Sequence, residues 1–453
     1  MKFLNQALSG VAVPLLLLVA GAYFLVAIGW RIFLAPRRGL QALMGKDAKS
    51  AARALSVALG GTLGVGNIAG VATAIALGGA GAVFWMWVSA LLAMLLKYAE
   101  IVLALRSRRY DEKGRAHGGA MYYIKEAFEG RVGKGLAGLF AVLCVVCSFL
   151  LGGVIQSNAA AGAMADAFGA PPLVTGVVIG ALAALILACG ARHVEDACTW
   201  IVPLVCVGFT VASVAVLILR REALPDAFGS IFAGALHQNS GAAGVLGFFT
   251  SRALRYGVAR GLISNEAGCG TAPIAHAAAD TKSPAAQGLW GILEVFVDTV
   301  LLCTLTALVI LVSGVPLSGE GVALAISAYG AVLGRAAPPI LALSILLFAF
   351  ATVLSWSHYG AESLLYLTRR ESSRKWMVPL VAAGAVLGSI SAATPVWELT
   401  DLVIALMAIV NIAALVAKRR DVIAETKLLY AREKRKEKKS DKCGGSCVGE
   451  EAL

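Results

Sequence analysis

Two short stretches put glycines and hydrogen-bonding side chains where almost everything around them is hydrocarbon. The first is Gly60-Gly61-Thr62-Leu63-Gly64-Val65-Gly66-Asn67-Ile68-Ala69-Gly70, and the second is Ser264-Asn265-Glu266-Ala267-Gly268-Cys269-Gly270-Thr271-Ala272-Pro273. Glycine permits an unwound backbone and a close approach by a ligand. Where a helix is interrupted, the N-terminal end of one half carries partial positive charge and suits a carboxylate. Freed carbonyls and the C-terminal end of the other half suit a cation. The chemistry on offer is joint binding of a zwitterion and a hard cation. Close helix packing explains the four-residue spacing of Gly66 and Gly70, but it leaves Asn67, Asn265 and Glu266 without a reason.

Other polar residues fall inside apolar runs. Thr352, Ser355, Trp356 and Tyr359 are spaced i, i+3, i+4, i+7 and share one helix face. The hydroxyls of Thr352 and Ser355 can complete an oxygen shell for sodium with carbonyls from a broken helix, with helix–helix hydrogen bonding as the plainer use. Gln156 stands in the small-residue run Gly152-Gly153-Val154-Ile155-Gln156-Ser157-Asn158, where its amide can meet a carboxylate, an amine or a neighbouring helix. Lys97 and Glu100 lie one turn apart and are expected to pair near one membrane face. Glu294 and Asp298 are at i, i+4 in an apolar helix, like charges that must be paired, protonated or wet. His276 reads as a satisfied interior or rim residue.

These residues need elements to hold them. The chain has 453 residues, 59% hydrophobic and 15% charged, with a formal net charge of +12. Soluble domains carry roughly 25% charged residues, so most of this chain avoids water. About 20 apolar residues cross a bilayer as a helix, and the chain offers about eleven such stretches by that criterion. They fall near 11–34, 51–78, 82–105, 134–167, 172–190, 195–219, 253–278, 286–313, 337–368, 376–393 and 396–417. The segments at 51–78 and 253–278 contain the two breaks, and each is followed by four apolar helices. Five plus five, each group opening on a broken helix, is the signature of an inverted repeat whose breaks meet near the midplane. The fold class is thus an all-α polytopic membrane protein with one extra N-terminal helix. The divisions are 1–50 (first helix and loop), 51–222 and 223–417 (the repeats) and 418–453 (a basic tail).

Lys and Arg cluster in short loops: Arg31, Arg37, Arg38, Lys46, Lys49 and Arg53; Arg106 to Arg131; Arg369, Arg370, Arg374 and Lys375. The positive-inside rule puts these loops and the tail in the cytoplasm and the N-terminus outside. Arg220, Arg221, Arg252, Arg255 and Arg260 run against that bias, and the 224–252 loop reads as an interfacial amphipathic segment. The positive charge follows membrane topology, which excludes nucleic acid as its purpose. The tail, helical at first and then disordered, suits anionic lipid. Cysteines such as Cys144 and Cys147 sit in apolar runs as small hydrophobes, and the tail pair Cys443 and Cys447 lacks the partners a metal site needs. H-E-x-x-H, G-x-x-x-x-G-K-[ST] and G-x-S-x-G are all missing. The chain is therefore not read as an enzyme, and an ion gradient is the expected energy source.

The runs GGTLGVGNIAGVATAIALGG (Gly60 to Gly79), FWMWVSALLAMLLKYAE (Phe84 to Glu100), GGAMYYI (Gly118 to Ile124), GVARGLISNEAGCGTAPIAHAAA (Gly257 to Ala279) and FAFATVLSWSHYG (Phe348 to Gly360) resemble the alanine or glycine:cation symporter family along nearly the whole chain. The resemblance implies the five-plus-five amino-acid transporter fold and import of alanine or glycine with sodium, or with protons. It implies a substrate pocket of Gly64, Gly66, Asn67, Gln156, Ile263, Ser264, Asn265, Gly268, Thr352 and Trp356. Sodium is expected between the first break and the Thr352/Ser355 face, with Gly61 and Gly64 supplying carbonyls. Where the family has GGPG and GGPM, this chain has GGAG (Gly78 to Gly81) and GGAM (Gly118 to Met121), which relaxes loop stiffness; Cys269 replaces the usual Leu or Met. The expected protein is a monomeric carrier in the inner membrane, with a passive channel or a membrane sensor as rivals.

Overall fold

A computed structural model describes residues 8–34, 48–236, 251–317 and 321–444. Arg37, Arg38, Lys46, the 237–250 part of the interfacial loop and Cys447 lie outside the described residues.

The described chain is helical apart from one short hairpin. Its helices are α1 Val13–Ile28, α2 Ala48–Thr62, α3 Ala69–Gly78, α4 Gly81–Ser107, α5 Ala120–Ala127, α6 Gly130–Cys147, α7 Gln156–Phe168, α8 Pro172–Cys189 and α9 Ala191–Leu219. There follow α10 Leu224–Leu236, α11 Arg252–Asn265, α12 Ala272–His276, α13 Pro284–Val295, α14 Thr304–Val312, α15 Gly321–Leu333, α16 Ala337–Thr368, α17 Met377–Ile390, α18 Ala393–Ala417 and α19 Arg419–Gly444. Between α4 and α5, β1 (Arg109–Tyr110) pairs antiparallel with β2 (Ala116–His117), Arg109 opposite His117.

Among the described residues eight helices are long and apolar enough to cross a bilayer, and the bent pair α2/α3 makes a ninth. The expected count of eleven includes two more segments, both present but short of that standard. The α11–α12 segment is broken and carries Arg252, Arg255, Arg260 and Glu266, and α17 has 14 residues. Two features depart from the sequence reading. Residues 321–333 form a separate helix where a connecting loop was expected, and the tail stays helical to Gly444.

Local chemistry sets the boundaries. Proline opens α8, α13 and α16, where its missing N–H costs nothing. The hydroxyls of Ser251 and Ser283 cap α11 and α13 by accepting from Leu254 N at 3.2 Å and Ala286 N at 3.3 Å. Leu185, Leu204, Val207 and Val211 of α8 and α9 stand well exposed, as lipid-facing residues do. The long helix α16 is the axis: it packs against α2, α6, α7 and α9 and buries Thr352, Ser355, Trp356 and Tyr359.

Two helices wind more loosely at one point. Ser148–Ile155, joining α6 to α7, and Phe296–Cys303, joining α13 to α14, are π-helical. Such turns rotate the residues after them and recur at functional sites.

Candidate functional site

The first break is a sharp bend. α2 ends at Thr62, a single 3₁₀ turn spans Val65–Asn67, and the chain resumes as α3 at an angle of 63°. Gly64 is extended and its N–H goes to Thr62 O at 2.8 Å, so the α-helical ladder is interrupted there. The second break uses positive backbone angles. Glu266 (φ 51°) takes the left-handed conformation that ends α11, and Gly268 (φ 84°) and Gly270 (φ 79°) carry the chain to α12. Only glycine enters that region without strain. Asn265 steadies the turn by accepting Ala267 N on its Oδ1 at 3.0 Å.

The structure gathers most of the sequence-predicted site residues into three contacts. In the first, Gln156 Oε1 accepts Val65 N at 3.2 Å. A methyl group on Gly64 would stand 3.0 Å from the Gln156 amide atoms and 3.0 Å from Thr352 Oγ1. Thr352 Oγ1 donates to Phe348 O at 3.0 Å and lies 3.5 Å from Leu63 O. In the second, the two breaks meet: a methyl on Gly66 would be 3.8 Å from Ser264 Cα. Asn67 Nδ2 and Ser264 Oγ both donate to the Asp298 carboxylate, at 2.7 and 2.8 Å, and Asn265 Nδ2 reaches Thr299 Oγ1 at 3.2 Å. In the third, Trp356 lies over Gly152 and donates its indole N–H to Glu266 Oε1 at 3.0 Å. Thr271 Oγ1 takes the other Glu266 oxygen at 2.8 Å.

Two predicted residues stand apart. Gly268 faces Leu17 and Ile412, and its carbonyl accepts Asn411 Nδ2 at 2.8 Å. Ile263 is half-buried one residue before Ser264. For the expected sodium shell, Ser355 faces Gly60, while the Tyr359 hydroxyl occupies the space beside Gly61 and donates to Val57 O at 3.3 Å. The carbonyl nearest Thr352 is that of Leu63.

The pairing expected between Lys97 and Glu100 is not what forms. Both are fully buried. Lys97 Nζ pairs with Glu294 Oε1 at 3.1 Å, and Glu294 Oε2 meets His276 Nε2 at 3.2 Å. His276 Nδ1 is satisfied by Gln287 Nε2 at 2.9 Å, as an interior histidine should be. Glu100 turns to the second break, where Oε1 accepts Gly270 N at 2.9 Å and Asn411 Nδ2. A helical spacing gives which side chains share a face, but here partners on other helices win both groups. Glu294 and Asp298 do not face each other, because the π segment begins between them. Sequence reasoning missed Glu266, Glu100, Asn411 and Thr299 as supports of the breaks. Glu266 had a signal, being acidic within the second break.

Two joined cavities of about 590 and 760 Å³ lead toward the site from the side that carries Arg53 and His117. They share Arg192, Glu195, Ala278 and His358. Val57 and His358 line the inner end, one turn short of Gly60, Gly61 and Tyr359. At the mouth, His117 Nδ1 meets Glu362 at 3.0 Å and Arg374 pairs with Glu362.

The sodium:alanine symporter family matches residues 1–443 of the chain. A relative from Methanococcus maripaludis, the sodium/alanine symporter AgcS, is 36% identical over 381 residues, covering 83% of each chain. An uncharacterized transporter of Haemophilus influenzae is 36% identical over 433 residues, covering 92% of this chain and 93% of its own. Among solved structures, MhsT in complex with L-phenylalanine superposes with a TM-score of 0.56 at 14% identity, covering 83% of this chain and 91% of that one. That likeness concerns the fold.

Proposed function

The chain belongs to the sodium:alanine symporter family, and from that premise we propose that it imports a small neutral amino acid, alanine or glycine, coupled to sodium entry. The observation that carries this reading is the contact among Gly64, Gln156 and Thr352. It leaves an amide and a hydroxyl beside freed backbone at a helix end, with little room for a side chain. A substrate carboxylate is met by the backbone N–H groups after the first break, and its ammonium by carbonyls of the second. Trp356 and Ile263 limit the side chain. Sodium sits between Leu63 to Gly64 and the hydroxyls of Thr352 and Ser355.

Transport proceeds by alternating access, the first break and its partner moving against α16 and its neighbours. The cavities that end at Val57 and His358 are the cytoplasmic vestibule in this reading, and Tyr359 on Val57 O closes its inner end. The N-terminus is then outside and α19 cytoplasmic. A charge moving down 100 mV supplies about 2.3 kcal/mol, enough to drive accumulation. The carrier acts as a monomer in the cell membrane, with 51–222 and 223–417 as its two repeats.

The deciding experiment is uptake of labelled alanine and glycine by proteoliposomes under a sodium gradient, a proton gradient or neither. Concentrative uptake that requires sodium supports the reading. Uptake driven by protons alone replaces sodium with the proton as coupling ion, and no uptake of either amino acid rejects the substrate.

A further inference from the structure

Asp298 is fully buried, yet no Lys, Arg or His among the described residues lies within ion-pair distance of it. Its carboxylate is held by neutral donors: Asn67 Nδ2 at 2.7 Å on one oxygen, Ser264 Oγ at 2.8 Å and Thr299 Oγ1 at 2.7 Å on the other. The nearby ammonium of Lys97 is committed to Glu294. Asn67 supplies a second observation. It is 1% exposed, and its Oδ1 has no hydrogen-bond partner among the described residues. A buried acceptor without a donor, beside a buried carboxylate without a cation, is an arrangement with one positive charge missing.

We propose that Asn67, Ser264, Asp298 and Thr299 form a second cation site, taking a sodium-sized monovalent ion, distinct from the one placed at Thr352 and Ser355. All four offer hard oxygens, the donor type such ions require. Turning the Asn67 amide end for end presents Oδ1 where Nδ2 now stands. Rotating the Ser264 and Thr299 hydroxyl hydrogens outward converts both from donors to acceptors. The three donors that now crowd the carboxylate become ligands with little movement of the backbone. One carboxylate with three neutral oxygens balances a single positive charge, whereas calcium sites carry more acidic ligands. Cys303 Sγ, 3.2 Å from Ser264 Oγ, is too soft a donor for such an ion and stands beside the site.

The position gives the site its role. Asn67 belongs to the first break, Ser264 ends the helix before the second, and Asp298 and Thr299 come from the π-helical Phe296–Cys303. The π turn is what aims two consecutive oxygen-bearing side chains at the junction. An ion there ties both interrupted helices to the α13–α14 span, so its arrival and departure bear on both halves of the substrate pocket. This inference rests on the symport reading but is tested apart from it.

The test is equilibrium binding of ²²Na⁺ to the purified full-length protein, with and without alanine, for wild type, Asp298→Asn, Ser264→Ala and the double variant Thr352→Ala/Ser355→Ala. In the absence of amino acid, Asp298→Asn and Ser264→Ala are each expected to weaken one sodium-binding component about tenfold or more. The double variant keeps that component. Should Asp298→Asn fail to give a monodisperse, cooperatively melting protein, Ser264→Ala alone decides the matter. Sodium binding unchanged in Ser264→Ala and Asp298→Asn overturns the proposal. So does loss of alanine affinity with sodium affinity intact, which would assign Asp298 to the substrate ammonium. Asp298-dependent sodium binding in a protein that takes up neither alanine nor glycine would keep the site and reject the symport reading.

Discussion

Trp356 donates its indole N–H to Glu266 at 3.0 Å, so the wall of the pocket hangs on the residue that turns the second break. The two halves of the site are therefore linked by a side chain as well as by backbone. Trp356→Phe keeps the ring but leaves Glu266 Oε1 without that donor, at a cost of about 1–3 kcal/mol. The expected result is a lower melting temperature and slower alanine uptake. Trp356→Ala should in addition admit larger side chains in competition assays. Unchanged affinity for small and large amino acids would show that Trp356 is not the wall.

Gly64→Ala tests the crowding at the first break. Its methyl would stand 3.0 Å from Gln156 and from Thr352, closer than ordinary van der Waals contact. Alanine uptake is expected to fall about 10- to 100-fold, with glycine less affected than alanine. Adding Gln156→Ala should relieve the clash without restoring full activity. Wild-type kinetics for Gly64→Ala would remove this residue from the pocket.

The buried Lys97–Glu294 pair invites a double-mutant cycle. Either Lys97→Met or Glu294→Gln alone strands a charge in the interior, which costs about 3–5 kcal/mol. The double variant should recover most of the lost thermal stability. If the single variants melt as wild type does, the pair is not what holds α4 to α13.

The hairpin at the vestibule mouth should respond to pH. Hydrogen bonding to Glu362 holds the His117 pKa above its ordinary value of 6.5, with Asp111 adding to the effect and Arg374 opposing it. Bonds from the backbone N–H groups of Arg115 and Lys113 and from His117 hold Asp111 below its usual 3.8. A raised histidine pKa contributes stability that is fully present below 6.5 and is lost as pH rises through the folded value. The lowered aspartate contributes above 3.8 and is lost in stronger acid. Amide exchange in residues 109–117 should therefore be slowest, relative to its intrinsic rate, near pH 5–6 and should quicken toward pH 8. His117→Gln should flatten that dependence; a dependence that survived the substitution would point to another group.

Much of the site was legible because membrane protein sequence makes polar residues conspicuous. Gly64, Asn67, Ser264 and Asn265 announce themselves against a hydrocarbon background, and the i, i+3, i+4, i+7 face on α16 follows from helix geometry alone. What the sequence hid was partnership. Lys97 and Glu100 satisfy the one-turn rule, yet Lys97 goes to Glu294 and Glu100 to Gly270, because long-range packing offered each a better partner. The relation between Glu294 and Asp298 was misjudged for another reason: the i, i+4 rule assumes an α-helix, and a π turn begins at Phe296. The helix at Gly321–Leu333 was missed because its 13 residues are too few to register as a span.

The π-helical joints also bear on which changes of length the chain can survive. A π turn behaves as an α-helix carrying one surplus residue. Removing a single residue from Ser148–Ile155 lets that stretch close into regular α-helix and rotates all that follows by about 100° relative to what precedes. Gln156 would then swing away from Val65 while every apolar residue kept a plausible environment. The protein would insert and fold, yet lose its grip on the first break. Comparisons among related chains should accordingly expect one-residue gaps in these helices, and treat them as changes of function.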